Sequence, residues 1–464
     1  MVKIFNHYLN GRTLLQIFSY AALLVFAVIV SLRLQVNTPF WDMDAVRAGA
    51  GRGLLMVAGM VAVNFALGLY ARPRKLKRGQ VRARAVLSFL GSAGIAFLVL
   101  KIFPLPPPYE NDPAMGIILS VLVGALVLRF FDGDIVSSLS NRQRVLIFGT
   151  GRHAQMVGQS LTKNDPGLEL VGYVAGPREN ALDAAIKNCI HYRSSLVDIA
   201  KEHQVNEIVV ALNERRGGSM PLREMLECKV LGIHVIDVAT HFEKFLGQIH
   251  LDAISAGWLI FGDGFRQGFF RSAVKWLMDV IGSSLLLVIT SPVMLITALM
   301  IFLESGGPVF YSQERVGLHG RVFKVLKFRS MRKDAEKDGT PRWASAADDR
   351  ITRVGKIIRK MRIDELPQLL CVLKGDMSLV GPRPERPYFV EQLTSDIPYY
   401  AIRHSIKPGL TGWAQVRYHY GSSIEDTQKK LQYDLYYVKN HSWFLDLVIL
   451  FETVGVVLTG KGAQ

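Results

Sequence analysis

Two adjacent carboxylates, Asp364 and Glu365, stand among basic side chains in the C-terminal third of the sequence. Neighbouring side chains point in different directions, about 100° apart on a helix, so one can attack a substrate while the other holds a metal ion or a water molecule. Pro367 follows shortly after and predicts that the pair sits in the first turn of a helix, where the helix dipole favours negative charge. An acidic pair early in a helix is also ordinary capping, so the surrounding residues must decide between these interpretations.

The residues around the pair are suited to phosphate. Arg359 and Arg362 precede it, and Arg383 follows in a Gly-Pro-Arg-Pro turn whose prolines restrict the backbone. Lys327 and Arg329 lie on a stretch typical of a strand that leads into a helix. Arginine binds phosphate through paired hydrogen bonds, and Mg²⁺ binds carboxylates together with substrate phosphates. The pattern indicates a diphosphate substrate carried with Mg²⁺, although a plain surface turn is the alternative for Arg383.

Six ordered motifs cover nearly two hundred residues of this region. They are Ser291-Pro292, Lys327-Phe-Arg-Ser-Met331, Arg359 five residues before Asp364-Glu365-Leu-Pro-Gln, Lys374-Gly-Asp-Met-Ser378, Gly381-Pro-Arg-Pro-Glu385 and Lys407-Pro-Gly-Leu-Thr-Gly-Trp-Ala-Gln415. With these motifs, the chain from about Arg271 onward resembles the bacterial polyprenyl-phosphate phosphoglycosyl transferases. These enzymes start exopolysaccharide and O-antigen synthesis. Cys371, where relatives commonly carry Asn, is a small departure that does not touch the motif residues.

The resemblance implies a two-step reaction on a carboxylate. Asp364 would attack the β-phosphorus of a UDP-sugar, release UMP and keep the sugar phosphate. Undecaprenyl phosphate or another polyprenyl phosphate would then accept it, giving a polyprenyl-diphosphate-sugar. Glu365, together with Asp364, would hold Mg²⁺, and handling of the acceptor is a second catalytic role open to Glu365. Phosphate binding would fall to four basic residues, Arg359, Arg383, Lys327 and Arg329. For Arg329, a structural pairing with a carboxylate is the alternative.

Four apolar segments in residues 1–136 have about the length that a membrane-spanning helix needs. They run roughly Leu14–Leu32, Leu54–Tyr70, Ala85–Phe103 and Ala114–Phe131. The segment Ala71–Arg84 between the second and third carries seven Lys or Arg and no acid, which places it in the cytoplasm. Nucleic-acid binding is the other interpretation of such a basic run. Because this run lies between two spans, it meets anionic lipid head groups first, so no nucleic-acid partner is expected.

The middle of the chain has the pattern of a Rossmann-like domain. A buried strand runs into a turn with Gly149 and Gly151, and then into a helix, an arrangement that lets a phosphate approach the helix N-terminus. Further strands are predicted at Leu168–Val174, Glu207–Leu212 and His234–Asp237. The second strand does not end in the acid that would bind a ribose, and Glu169 stands at its start. A bound nucleotide and a structural or regulatory role both remain open.

A long apolar run, Trp276–Leu303, either crosses the membrane a fifth time or enters and returns. A fifth span would place Asp364 outside, away from nucleotide-sugars, and the Lys and Arg residues after the run indicate the cytoplasm. Pro292 removes one helix hydrogen bond, and the Ser291 hydroxyl can satisfy the freed carbonyl. The sequence therefore predicts a re-entrant helix-break-helix with its break at Ser291 and Pro292, which brings the active site to the membrane interface.

The expected fold is a membrane protein of three parts. Residues 1–136 form four transmembrane helices, 137–250 a Rossmann-like α/β domain, and 251–464 an α/β monotopic catalytic domain with the re-entrant helix 274–303. This organisation resembles the long form of the family. It implies a multi-pass protein of the bacterial inner membrane with its catalytic domain on the cytoplasmic face. A homodimer is expected because the spans and the middle domain have no evident catalytic duty.

Two other classes of function fit the sequence less well. An oxidoreductase or epimerase run by the middle domain would need the missing acid and a Tyr-x-x-x-Lys pair beside that domain. A transporter would carry charges at mid-membrane or broken helices in matching halves, whereas the two charges in the four segments, Lys101 and Arg129, lie near the ends of the third and fourth. The sequence does not name the sugar.

Overall fold

The computed structural model describes residues 2–4, 7–9, 18, 22, 43–66, 78–104, 143–164, 168–176, 188–192, 195–212, 220–254, 258–259, 264–265, 268–332, 350–418 and 423–459. The chain divides into two compact units. One is made of Met1–Val2 and Tyr8–Leu246, and the other of Lys3–His7 and Gly247–Gln464. The predicted spans Leu14–Leu32 and Ala114–Phe131 lie almost entirely outside the described residues.

Two short strands and two long helices come first: β1 Val2–Ile4, β2 His7–Leu9, α1 Met43–Ala66 and α2 Arg78–Ile102. The two helices pack in antiparallel fashion, with Gly59 of α1 against Ile95 of α2. The guanidinium group of Arg52 donates hydrogen bonds to the carbonyl oxygens of Phe103 and Pro104 at 2.9 and 2.6 Å. The two helices overlap the second and third predicted spans, and their apolar stretches are the shorter Gly51–Asn64 and Leu90–Ile102. The four-span region as a whole stays a prediction.

A five-stranded parallel sheet confirms the predicted α/β domain. Its elements are β3 Gln143–Phe148, α3 Arg152–Asn164, β4 Leu168–Val174, β5 Cys189–Ile190, α4 Leu196–Glu202, β6 Glu207–Val210, α5 Leu222–Val230, β7 His234–Asp237 and α6 Val238–Leu246. The strand order is β5-β4-β3-β6-β7, and every neighbouring pair is parallel. This is the order of a doubly wound dinucleotide-binding fold. The central strand β3 is fully buried from Val145 to Phe148, as a strand covered on both faces must be.

The second unit combines short strands with helices. Its elements are α7 Phe269–Ser305, β8 Phe310–Val316, β9 Val322–Phe328, α8 Arg353–Lys360, α9 Gln368–Lys374, β10 Ser378–Val380, α10 Pro387–Asp396, β11 Gly409–Thr411, α11 Trp413–Arg417, α12 Ile424–Asn440 and α13 Trp443–Thr459. Strands β8 and β9 form an antiparallel hairpin, and β10 and β11 form a parallel pair. Two 3₁₀ segments matter for the site, Ile363–Glu365 and Tyr400–Ser405.

Two glycines allow β10 and β11 to approach closely at the Gly-Pro-Arg-Pro turn. A Cβ atom on Gly409 would collide with the backbone nitrogen of Gly381, and one on Gly381 would collide with the carbonyl oxygen of Lys407. The backbone N–H of Gly409 donates a hydrogen bond to the carbonyl of Pro382 at 2.9 Å. Only glycine fits at these two positions. The close approach joins the motif that contains Gly381 to the motif that contains Gly409, and it fixes where the Gly-Pro-Arg-Pro turn begins.

Among the described residues, α7 is the one helix long and apolar enough to cross a membrane. It has 37 residues, and only 11% of its most apolar stretch is buried within the protein. The exposed side chains are large and apolar, among them Leu285, Val288, Ile289 and Leu295. An apolar surface of this extent is typical of a helix that contacts lipid or another protein.

The predicted break at Ser291 and Pro292 is wrong in its detail, because α7 continues through both residues as one helix. Pro292 has no N–H to donate to the carbonyl of Val288. The Ser291 hydroxyl donates to that same carbonyl at 2.8 Å. This local substitute for the lost backbone bond, which the sequence predicted, allows the helix to continue. The re-entrant path stays a prediction.

Both ends of α7 are fastened to the same unit. Near its start, the Asp279 carboxylate accepts hydrogen bonds from the Ser378 hydroxyl at 2.9 Å and the Leu379 backbone N–H at 3.0 Å. Near its end, the Ser305 hydroxyl receives a hydrogen bond from Arg329 at 2.6 Å. The helix thus leaves and rejoins one compact body, which then carries the acidic pair.

Candidate active site

Asp364 and Glu365 lie on the 3₁₀ turn Ile363–Glu365, between α8 and α9. Arg362, with φ 55° and ψ 22°, adopts the left-handed conformation that starts this turn. A residue with a Cβ atom rarely adopts it, and such positions cluster at functional sites. Pro367 is the N-cap of α9. The pair therefore does occupy the first turn of a helix, as predicted, but this helix is the short 3₁₀ turn Ile363–Glu365, and α9 begins only after Pro367.

Glu365 is buried and surrounded by three cations. Its Oε1 accepts a hydrogen bond from Arg383 Nη2 at 2.7 Å and lies 3.7 Å from Lys327 Nζ. Its Oε2 lies 3.4 Å from Arg362 Nη1. Burial alone would raise the pKa of Glu365, but the three cations outweigh burial and hold this pKa well below its usual range. Glu365 is therefore ionised, and its charge is neutralised by its neighbours.

Asp364 has a different environment although it is the preceding residue. Its side chain is half-buried and makes no hydrogen bond or ion pair with any described residue. Burial raises the pKa of Asp364 to about 6, and the charge of Glu365 adds to this rise. Lys327, Arg383 and Arg359 oppose it. A carboxylate that ionises just below neutral pH and is more basic than usual is suited to nucleophilic attack.

Arg383 reaches Glu365 from the turn that follows β10. The turn is held from behind, where the backbone N–H of Val316 donates to the carbonyl of Glu385 at 2.9 Å and Arg315 Nη1 donates to the carbonyl of Pro384 at 3.1 Å. The charge of Glu365 raises the pKa of Arg383 above its usual range. The Arg383 side chain is still 40% exposed, so its guanidinium group can contact Glu365 and a substrate together.

Lys327 and Arg329 face different parts of the molecule. Lys327 lies next to the last residue of β9 and faces Glu365; burial lowers its pKa, against the opposing effect of that carboxylate. Arg329 is 7% exposed, and its Nη2 donates to the Ser305 hydroxyl and the Gly306 carbonyl, both at 2.6 Å. The structure therefore brings Lys327 into the site but not Arg329. Arg329 has a structural role, as one interpretation expected, with groups at the end of α7 as partners rather than a carboxylate.

Three further basic residues belong to the site: Arg359 and Arg362, which the sequence places near the acidic pair, and Arg315, which it does not. Arg359 lies in the last turn of α8, near enough to Asp364 to lower its pKa. Arg362, which the sequence places beside the pair, contacts Glu365 directly. Arg315 is half-buried and lies 3.4 Å from Glu385 in the Arg383 turn. No local signal could find Arg315, because only the β8–β9 hairpin brings it to this turn.

The two carboxylates could bind Mg²⁺ only if a substrate phosphate and water supplied the remaining ligands. Among the described residues, no group of three or more His, Cys, Asp or Glu side chains could hold a metal ion. Mg²⁺ commonly takes one or two carboxylates and completes its shell with water and substrate phosphates. Asp364 and Glu365 supply that number of carboxylates. Since both oxygens of Glu365 face cations, Asp364 is the more open of the two.

The glycine turn of the first unit has a packing role. Gly149 has φ +132°, and a Cβ atom there would lie 2.5 Å from the Ala211 carbonyl oxygen, so only glycine fits. Gly151 lies two residues further along, just before α3. Glu169 pairs in register with Arg144 at the opposite end of the sheet, so it cannot serve a ribose at this turn. A nucleotide at Gly149 and Gly151 stays a prediction.

The fold and the site together present an apolar helix, an acidic pair and a set of cations, an arrangement suited to a membrane-associated enzyme that acts on phosphate groups. The pattern of the family described as bacterial sugar transferase matches residues 270–460. This match contains all of α7 after Phe269, the acidic pair and the Arg383 turn.

Three relatives show how far the similarity extends. A UDP-N-acetylgalactosamine-undecaprenyl-phosphate N-acetylgalactosaminephosphotransferase of Aeromonas hydrophila is 43% identical over 242 residues, which are 52% of this chain and 56% of that protein. A UDP-glucose:undecaprenyl-phosphate glucose-1-phosphate transferase of Xanthomonas campestris pv. campestris is 32% identical over 361 residues, 75% of this chain and 73% of that protein. The uncharacterized sugar transferase EpsL of Bacillus subtilis is 44% identical over 195 residues, 41% of this chain and 90% of that protein. The chain belongs to the bacterial sugar transferase family, which confirms the resemblance to the polyprenyl-phosphate phosphoglycosyl transferases.

Proposed function

We propose that the protein transfers a sugar 1-phosphate from a UDP-sugar to undecaprenyl phosphate, or another polyprenyl phosphate, and releases UMP. This reaction would start the synthesis of an exopolysaccharide or O-antigen-type glycan. The observation that carries the proposal is the unequal acidic pair. Glu365 is neutralised by three cations, whereas Asp364 makes no ion pair among the described residues.

The first step uses Asp364 as the nucleophile. A carboxylate oxygen of Asp364 attacks the β-phosphorus of the UDP-sugar, the bond from this phosphorus to the bridging oxygen breaks, and UMP leaves with both electrons. The sugar phosphate is then an acyl phosphate on Asp364, a known form of covalent catalysis. UMP is a stable anion, so the leaving group needs no proton.

The second step releases the intermediate to the lipid. An oxygen of the polyprenyl phosphate attacks the same phosphorus, the bond to Asp364 breaks, and the carboxylate is regenerated. The product is a polyprenyl-diphosphate-sugar. Both steps pass through a crowded, negatively charged phosphorus, so the site must supply positive charge at that point.

Arg383, Lys327 and Arg359 supply that charge. Arg383 and Lys327 contact Glu365, and Arg359 acts on Asp364 from the end of α8. With Arg362, four cations face two carboxylates, and this excess of positive charge fits a diphosphate. Mg²⁺ bound by Asp364 or Glu365 with the diphosphate would neutralise further charge on the transferring group.

The apolar helix α7 supports a reaction at the membrane surface. Because both ends of α7 are fastened to the unit that carries Asp364, a helix that enters and returns on one side keeps the site beside lipid head groups. The acceptor phosphate is such a head group. We infer a multi-pass protein of the bacterial inner membrane with its site on the cytoplasmic face, where UDP-sugars occur.

The experiment that tests the function measures UMP release by the detergent-solubilised full chain. A panel of UDP-sugars is offered with Mg²⁺, with and without undecaprenyl phosphate, and Asp364→Asn is the control. Turnover with one sugar that needs the lipid and is lost in Asp364→Asn is the expected result, and it names the donor. Equal rates for the variant and the wild type would end the assignment of Asp364. Repeating the assay with EDTA tests the need for Mg²⁺.

A homodimer completes the proposal. It is supported by the extent of chain outside the matched residues 270–460, which has no evident part in the chemistry and is available for assembly. Multi-angle light scattering of the solubilised protein, with the detergent mass subtracted, distinguishes a dimer from a monomer.

A further inference from the structure

A buried arginine outside the acidic pair is tied to the backbone of Arg383. Arg403 lies in the 3₁₀ segment Tyr400–Ser405 and is 7% exposed. Its Nε and Nη2 donate to Asp434 Oδ2 at 3.1 and 2.8 Å, and its Nη1 donates to the Tyr400 hydroxyl at 2.7 Å. Asp434, on α12, is itself only 2% exposed. Such a buried ion pair adds little net stability by itself, so its geometry needs another explanation.

Arg403 also makes one hydrogen bond outside the ion pair with Asp434. Its Nη2 also donates to the carbonyl oxygen of Arg383 at 2.9 Å. The carbonyl belongs to the same residue whose guanidinium group contacts Glu365 at 2.7 Å. A continuous path of hydrogen bonds and one backbone residue therefore runs from Asp434 to Glu365.

The planar guanidinium group is what allows this path. Arg403 points donors in three directions at fixed angles, and each direction has its acceptor: Asp434, Tyr400 and the Arg383 carbonyl. A lysine at this position would keep one positive charge beside Asp434. Its single nitrogen could not reach all three acceptors in the same geometry.

We propose that Arg403, held by Asp434, is a positioning residue that fixes the backbone of Arg383 so that Arg383 stays on Glu365 and the transferring phosphate lies against Asp364. This proposal rests on the proposed function. Arg403 does not touch the substrate itself. Its contribution is the placement of another residue, and small misplacements of such a residue are costly, about 100-fold in rate for 1 Å.

The test uses the burst of UMP that the full chain should release on mixing with its UDP-sugar when no lipid acceptor is present. The amplitude of the burst counts the competent sites, and its rate constant reports the first step at each site. For Arg403→Lys we expect a rate constant about 10- to 100-fold lower with an amplitude near that of the wild type. A merely structural role would lower the amplitude and leave the rate constant unchanged.

Arg417→Lys is the matched control. Arg417 also pairs with a carboxylate, Glu452, at 2.6 Å and lies over the Trp413 ring at 4.2 Å. Neither partner belongs to the proposed machinery. This variant should lose stability in a thermal melt while its burst rate constant stays that of the wild type.

A double-mutant cycle tests whether the loss of burst rate in Arg403→Lys comes through Arg383. If Arg403 acts through Arg383, then Arg403→Lys changes the burst rate constant little when Arg383→Gln is already present. Multiplicative effects of the two substitutions would overturn the proposal, as would a wild-type rate constant in Arg403→Lys alone.

Two further outcomes, a variant that does not fold and a wild type without a burst, must be distinguished from the results above. If Arg403→Lys gives no burst because it does not fold, Asp434→Asn takes its place, since it weakens the same anchor. A lower rate constant then supports the proposal and an unchanged one overturns it. If the wild type gives no burst, or Asp364→Asn gives the same burst, the proposed function fails instead.

Discussion

Neighbouring carboxylates in one turn have opposite electrostatic environments. Glu365 faces three cations at 2.7 to 3.7 Å, whereas Asp364 forms no ion pair and is influenced by Lys327, Arg383 and Arg359 only at longer range. Because the cations hold the charge on Glu365, that charge is permanent and makes Asp364 harder to ionise. The result is one residue that organises the positive charge and one that is basic enough to attack phosphorus.

The pH dependence of the reaction should report this difference. Asp364 must be ionised to attack, and its pKa is raised to about 6. The value of kcat/KM for the UDP-sugar should therefore be constant above pH 7 and fall about tenfold per unit well below pH 6, because this ratio reports ionisation of the free enzyme. Steady-state UMP release in constant-ionic-strength buffers measures it. A profile flat down to pH 5 would contradict the environment assigned to Asp364.

Equal substitutions at Lys327 and Arg329 should have unequal effects. Lys327→Met removes a cation that lies 3.7 Å from Glu365, so kcat/KM should fall about 100-fold while the thermal midpoint changes little. Arg329→Met leaves the Ser305 and Gly306 acceptors at the end of α7 unpaired, which should cost about 1–3 kcal/mol of stability. Its rate constant per folded site should stay normal. The two variants are compared by burst kinetics and by melting in the same detergent, and a rate loss in Arg329→Met would place Arg329 in the site.

The helix α7 shows how a proline and a serine act together. Pro292 lies inside the helix, and Ser291 bonds the carbonyl that the proline leaves without a donor. Proline is tolerated in membrane helices when such a substitute exists. The same pair of residues is also compatible with a bend in the helix. Whether α7 crosses the membrane or returns is therefore decided by whether its two ends lie on opposite sides or on the same side.

Cysteine accessibility decides the course of α7. In a chain with Cys189, Cys228 and Cys371 replaced by alanine, single cysteines are introduced as Ser272→Cys and Gly307→Cys, both at exposed positions. A membrane-impermeant maleimide should label both in inside-out vesicles and neither in right-side-out vesicles, because both ends of α7 attach to one unit. Labelling of the two cysteines from opposite sides would show that α7 spans the membrane.

The elements that could be predicted from sequence are those set by neighbouring residues. The strands Leu168–Val174 and His234–Asp237 have their predicted bounds, because alternation of apolar residues and turn signals are local. The roles of Lys327 and Arg329 could not be separated in this way. These roles depend on where strand β9 ends and on the packing of the end of α7 against that point. Arg403 gave no signal, because its link to Arg383 exists only after α12 and the Tyr400–Ser405 segment have packed together.

At the scale of the whole molecule, the proposed chemistry lies in one of two compact units. Every residue of the proposed site belongs to Gly247–Gln464, and the match to the bacterial sugar transferase family begins at residue 270. The relative from Bacillus subtilis aligns over 90% of its own length with only 41% of this chain. A relative named as a sugar transferase can therefore be about as long as the family match at residues 270–460.

This relation predicts that residues 247–464, expressed alone in membranes, release UMP from the same UDP-sugar with the rate constant per site of the full chain. The reason is physical as well as comparative. The contacts of Glu365, Arg383 and Arg403 described above, and the charges that act on Asp364, all come from within that unit, and the apolar helix α7 belongs to it as well. Burst kinetics on the truncated and full chains give the comparison, with Asp364→Asn in each as the blank. A truncated chain that melts cooperatively yet shows a slower burst would mean that the first unit shapes the site, and the regulatory role considered for the Rossmann-like domain would then be the next to test.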